Sequence, residues 1–147
     1  MSITHSPSEQ DLKLSKPTLI VVRIIAVIVF AFIVLVTYLA NSGTDTLLFA
    51  FVRSVPYGDK IGHFFLYGVL TLILNLALNL KAITLNKRKV FIGSVSVIIF
   101  IVIEELSQLF IPIRTVDYFD FLAGGTGIAV FTFICYLIKQ RINTSNN

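Results

Sequence analysis

The chain has 147 residues, 56% of them hydrophobic and 14% charged, with formal net charge +4 and mean hydropathy +0.88. Soluble domains carry about 25% charged residues, and small domains leave much of their surface exposed. That excludes an ordinary water-soluble domain and leaves lipid as the solvent that fits.

Residues 1–16 are polar, with Ser, Pro and Gln, and are expected to form a disordered cytoplasmic tail. The first apolar stretch, 18–40, is interrupted only by Arg23 near its start. It exceeds the roughly 7–15 apolar residues of a signal peptide, and Tyr38 stands where a cleavage site wants a small residue. It therefore reads as an uncleaved span. The following link contains an apolar run from Leu47 to Val52, too short to cross and expected to lie at the interface as a helical turn. The second stretch is 61–80. The third reaches bilayer length, roughly 17–25 residues, only if Glu104 and Glu105 belong to the helix, which then covers 90–110. The fourth is 121–138, and 142–147 are expected to form a second disordered tail. No repeat or long linker divides the chain, so 17–141 form one membrane domain.

In hydrocarbon every backbone group must be bonded within a helix or a closed barrel, and barrel strands alternate apolar with polar residues. No such alternation is present. The expected fold class is all-α: a polytopic membrane protein with a four-transmembrane-helix bundle. Cys135, the sole cysteine, falls in the fourth stretch, reads as a small apolar filler and excludes an internal disulfide.

Charge gives the orientation. Lys13, Lys16, Arg23, Lys81, Lys87, Arg88, Lys89, Lys139 and Arg141 belong to one side of an even-numbered bundle; only Arg53, Lys60 and Arg114 belong to the other. The positive-inside rule then puts both termini in the cytoplasm. This asymmetry accounts for the basic balance, so no nucleic-acid partner is expected. Asp45, Asp59, Glu104, Glu105, Asp117 and Asp120 gather at the opposite, outer face, where any chemistry is expected.

Asp59, His63 and Tyr67 recur every four residues and share one helix face. Asp59 also sits at a helix N-terminus, where the backbone dipole favours a carboxylate. Glu105 and Gln108 share a face at the end of the third span, and a carboxylate at that depth needs a protein partner. Lys60, His63 and Arg114 are the cations on offer. Asp120 opens the fourth helix. Ala123 and Gly127 form a small-xxx-small pair that, with Gly124 and Gly125, lets a neighbouring helix approach closely.

The pattern Asp59-Lys60-x-x-His63-Phe64-x-x-Tyr67, then Glu105-x-x-Gln108-x-Phe110-x-Pro112-x-Arg114, then Asp120-x-x-Ala123-x-x-x-Gly127, resembles the VanZ-like family over about half of the chain. The family usually has asparagine where Gly124 stands, so any amide contact made there is absent here. The resemblance implies a small bacterial envelope protein in the inner membrane. The family's best-known role is lowered susceptibility to teicoplanin, a glycopeptide antibiotic with a lipid tail.

The leading expectation is a non-enzymatic protein that binds an amphiphile, a lipid-linked wall precursor or a lipid-tailed glycopeptide, in an outward-facing pocket between the second, third and fourth helices. Lys60 and Arg114 suit a phosphate or carboxylate there. Membrane lipid is the other partner, no cofactor or metal is expected, and a homo-dimer is the larger state considered. Three other readings stand beside it. One is an enzyme acting on a lipid head group, with His63 as general base and Glu105 or Asp59 orienting it, though no nucleophile is evident; its metal-bound variant would use Asp59, His63, Glu105 and Asp120. Another is proton-coupled transport, against which no polar path continues from His63 toward the cytoplasm. The last is a structural polar cluster that pins three helices.

Overall fold

A computed structural model describes residues 14–85, 88–112 and 117–145. The expected tails at 1–13 and 146–147, together with Lys13, Lys87 and Arg114, lie outside the described residues. Helix α1 (Lys16–Asn41) starts at Ser15, whose Oγ accepts from the Thr18 N–H at 3.3 Å, and carries a proline in its first turn, where no backbone donor is missed. Helix α2 (Leu47–Ser54) is capped by Thr46 in the same way and buries no residue. Helix α3 (Gly58–Ala77) leads into a hairpin of β1 (Ala82–Leu85) and β2 (Arg88–Phe91), antiparallel with Ala82 opposite Phe91. Helices α4 (Ile92–Gln108) and α5 (Tyr118–Ser145) complete the chain.

Three of these helices are long and apolar enough to cross a membrane: Lys16–Asn41, Gly58–Ala77 and Tyr118–Ile142. Much of their surface consists of exposed large apolar side chains, such as Ile20, Val27, Leu35, Phe65 and Phe133. This is a mostly helical membrane protein. The third expected span, 90–110, is helix only over Ile92–Gln108, 17 residues that include Glu104 and Glu105, and does not meet the same criterion. Two further differences have local causes. The lysine-rich link reads as a plain connector, yet Ile83 and Val90 face each other across a short ladder there. The expected tail from 142 is helical as far as Ser145, because Ile142 packs on the cluster of Leu80, Phe91 and Cys135.

Helices α3 and α5 run parallel. Lys60 bonds Asp117 and Asp120 at one end, and the Lys139 ammonium donates to the Leu80 carbonyl at the other. Helix α1 is antiparallel to α3, with Arg23 Nε donating to the Ala77 carbonyl, and α4 is antiparallel through Asn75–Ser94 and Tyr67–Glu104. Gly127 sets the closeness of α3 and α5: a Cβ there would overlap the Phe64 carbonyl oxygen. Gly124 lies against Ile101 and Tyr67, whereas a Cβ on Gly125 would meet open space.

Below the acidic end, the four-residue spacing of α3 continues through Thr71 and Asn75, both buried. Asn75 Nδ2 donates to Ser94 Oγ at 2.9 Å, the Ser94 N–H donates back to Asn75 Oδ1 at 3.1 Å, and Ser94 Oγ lies 2.8 Å from Thr132 Oγ1. Polar side chains therefore do continue from His63 toward the far end, which corrects the sequence expectation. They are neutral and largely satisfied by one another, so a scan for charge passes over them. They join α3, α4 and α5 where lipid would leave their hydrogen bonds unmade.

Gly127→Ala should destabilise the protein by about 1–3 kcal/mol through overpacking, while Gly125→Ala stays within about 0.5 kcal/mol. Reversible unfolding in mixed micelles measures both.

Candidate functional site

Each polar residue is placed by the helix that carries it. The Lys60 ammonium sits in the first turn of α3 and donates to Asp59 Oδ2 at 2.8 Å, Asp117 Oδ2 at 2.8 Å and Asp120 Oδ1 at 3.0 Å. Asp59 and Asp120 lie in the first turns of their helices, where the positive dipole end adds to the attraction. The Lys60 ammonium, and secondarily the Phe119 N–H, hold the Asp117 carboxyl below the usual carboxylate range. Lys60 was offered by the sequence to an anionic head group; in the structure three carboxylates already surround it.

One turn deeper, His63 Nδ1 lies 2.9 Å from the Asp59 carbonyl oxygen, and a carbonyl can only accept. Nδ1 therefore carries a hydrogen, and Nε2 is the ring nitrogen not engaged by that carbonyl. Another turn down, the Tyr67 hydroxyl donates to Glu104 Oε2 at 3.2 Å, and Gln108 Nε2 donates to Glu104 Oε1 at 2.9 Å. Glu104 and Glu105 are 6% and 7% exposed, so both carboxylates are inside the protein.

The structure thus brings Asp59, Lys60 and Asp120 together at the rim, and His63, Tyr67, Gln108 and Glu105 together below it. Sequence reasoning passed over two members. Glu104 receives the Gln108 amide, and Asp117 shares Lys60. Both had a signal. Val97, Ile101, Glu104, Glu105 and Gln108 are all buried and repeat as a single helical face, and Asp117 precedes Asp120 by three residues.

A cavity of about 830 Å³ opens beside these groups. Its apolar wall comes from Phe32, Ile33 and Val36 of α1, Leu48 and Val52 of α2, and Phe65 and Leu66 of α3. Asp59, His63, Tyr67, Glu104, Asp117 and Asp120 line its polar end. The pocket was expected between the second, third and fourth spans. Gly127 packs tightly on Phe64 where α3 meets α5, and this cavity lies mainly under α1 and α2, with Glu104, Asp117 and Asp120 reaching its polar end.

Among the described residues, two groups of side chains have donor spacing suited to a metal: Asp59, Asp117 and Asp120, and His63, Glu104 and Glu105. The first already surrounds the Lys60 ammonium. Comparisons with protein-family models, curated proteins and solved structures returned no match.

Lys60→Met should lower thermal stability at neutral pH, because three carboxylates then face one another without their cation. The sign with pH follows from Asp117. Its depressed value gives stabilisation that is full above the unfolded carboxylate value, about 3.9, and is lost as pH falls through the folded value. The gap in melting temperature between wild type and Lys60→Met should therefore narrow on acidification through that range.

Proposed function

We propose that this chain is an envelope membrane protein, VanZ-like in kind, that binds an amphiphile in the cavity between α1, α2 and α3. In this reading α4 is a fourth crossing, both termini are cytoplasmic, and the membrane is the bacterial inner membrane. Lys16, Arg23, Lys81, Arg88, Lys89, Lys139 and Arg141 share one end of the bundle, which supports that orientation. Exposed aromatics at the opposite end, including Tyr57, Phe110 and Tyr118, suit the lipid head-group level.

The observation that carries the reading is the cavity's division into two chemistries. A wall of Phe, Leu, Ile and Val takes an acyl or prenyl tail, and an end of carboxylates, imidazole and phenol takes the head. Such a site, mostly apolar with a few convergent polar groups, is the usual form of a ligand pocket. Because the described polar lining is acidic, head groups rich in hydroxyls and amines are favoured. A lipid-linked saccharide of wall synthesis and a lipid-tailed glycopeptide such as teicoplanin both meet that description.

Gly62 gives a clean test, since it lines the cavity and a Cβ there would meet nothing. Gly62→Leu should fill the tail site without disturbing the fold. Purified wild type in mild detergent should bind fluorescent teicoplanin or a lipid-linked wall precursor, and Gly62→Leu should bind at least about tenfold more weakly, roughly 1.4 kcal/mol. Gly125→Leu, away from the cavity, should bind like wild type. Wild type that is monodisperse and binds neither probe would end the proposal.

A further inference from the structure

The second cluster of the site supports a reading that does not depend on the amphiphile. We infer that His63, Glu104 and Glu105 form a three-ligand site for a divalent first-row transition metal, with its open side toward the cavity. One donor atom from each residue lies within 4.8 Å of the other two. Ligands of a tetrahedral ion stand about 3.3–3.6 Å apart when each bond is about 2.0–2.2 Å. The group therefore needs to contract by about an ångström, which small side-chain rotations of two glutamates and a histidine supply.

Three further observations separate this trio from a chance meeting of acids. The first is the imidazole. Its Nδ1–H is held by the Asp59 carbonyl at 2.9 Å, which fixes the ring and leaves Nε2 as the nitrogen that would bind a metal. Metal-binding histidines are held in this way by a backbone carbonyl or carboxylate on the other nitrogen. The second is the support behind Glu104. Tyr67 and Gln108 each donate to one of its oxygens, so the carboxyl group is held in place by two side chains outside the trio. The third is burial. Glu104 and Glu105, neighbours at the end of one helix, are 6% and 7% exposed, so an ion held by them and His63 would be shielded from bulk water on its protein side.

The donor set selects the kind of ion. One imidazole nitrogen with carboxylate oxygens suits zinc, manganese, cobalt or ferrous iron, whereas calcium and magnesium prefer all-oxygen sites. His63 and Glu104 line the cavity, so the remaining coordination positions face it and take water or an oxygen of whatever occupies the space. Three protein ligands with an open position distinguish a site that meets ligands from a closed structural one.

The neighbouring acidic group serves as an internal control. Asp59, Asp117 and Asp120 have comparable spacing but are bridged by the Lys60 ammonium, so a metal retained by this protein should ignore Asp117→Asn.

Full-length protein carrying a histidine-free tag would be purified in mild detergent, exposed separately to Zn²⁺, Mn²⁺ and Co²⁺, and desalted. Retained metal would then be measured by mass spectrometry. Wild type and Asp117→Asn should hold about one ion per chain of at least one metal. His63→Ala and Glu104→Gln should lose at least about nine-tenths of it. Should those variants fail to stay monodisperse, zinc-edge X-ray absorption on wild type decides the matter, since it reads whether one imidazole stands among oxygen ligands. Retention below about a tenth of an ion by monodisperse wild type, for all three metals, would overturn the site. So would retention unchanged by His63→Ala, or a zinc spectrum without imidazole. Teicoplanin binding is not involved, so failure here leaves the cavity proposal standing, and the reverse holds too.

Discussion

The Lys60 ammonium and the three carboxylates around it fix the relation on which the other features depend. One cation joins the first turns of α3 and α5, and the two helix dipoles there already favour Asp59 and Asp120. Parallel alignment of α3 and α5 follows, with their N-termini level. Each turn of α3 then falls at a set depth: Asp59 and Lys60 at the rim, His63 one turn in, Tyr67 one turn further, and Thr71 and Asn75 below. Helix α4, running the other way, brings Glu104, Glu105 and Gln108 to the depth of His63 and Tyr67.

Packing explains why there is a cavity and where it lies. Gly127 against the Phe64 carbonyl and Gly124 against Tyr67 and Ile101 close the space between α3, α4 and α5. The Asn75, Ser94 and Thr132 hydrogen bonds hold the same three helices at the other end. Helix α1 has few buried positions, Ala26 and Ile33. Against α3 it leaves a gap that α2, with no buried residue of its own, covers at one end. The tightly joined helices carry the polar groups, and the loosely packed ones supply the apolar wall.

Much of this was legible in the sequence. Long apolar runs gave α1, α3 and the start of α5 to within about three residues, because bilayer thickness dictates their length, while α5 runs on to Ser145, past the expected end at 138. The four-residue repeat of Asp59, His63 and Tyr67 put them on one face, and the small-residue spacing of Ala123 and Gly127 marked the helix contact. What escaped was set by tertiary partners. Glu104 and Glu105 are adjacent, and it is the positions of Tyr67 and Gln108 that make Glu104 the acceptor of their hydrogen bonds. Lys60 has three aspartates within reach, so its availability to an anion depended on their arrangement. The hairpin joins segments too short to show a strand pattern. Asn75, Ser94 and Thr132 are neutral residues in apolar runs, and nothing in their spacing along the chain pairs them.

In the proposed orientation the acidic end, with the mouth of the cavity, faces away from the cytoplasm and the hairpin faces into it. Single cysteines at Thr44 and Leu85, introduced in a Cys135→Ala background, test this most directly with a membrane-impermeant maleimide on intact cells. In that orientation Thr44→Cys is labelled in intact cells and Leu85→Cys only after the membrane is opened. Labelling of Leu85→Cys in intact cells, with Thr44→Cys protected until permeabilisation, would contradict it.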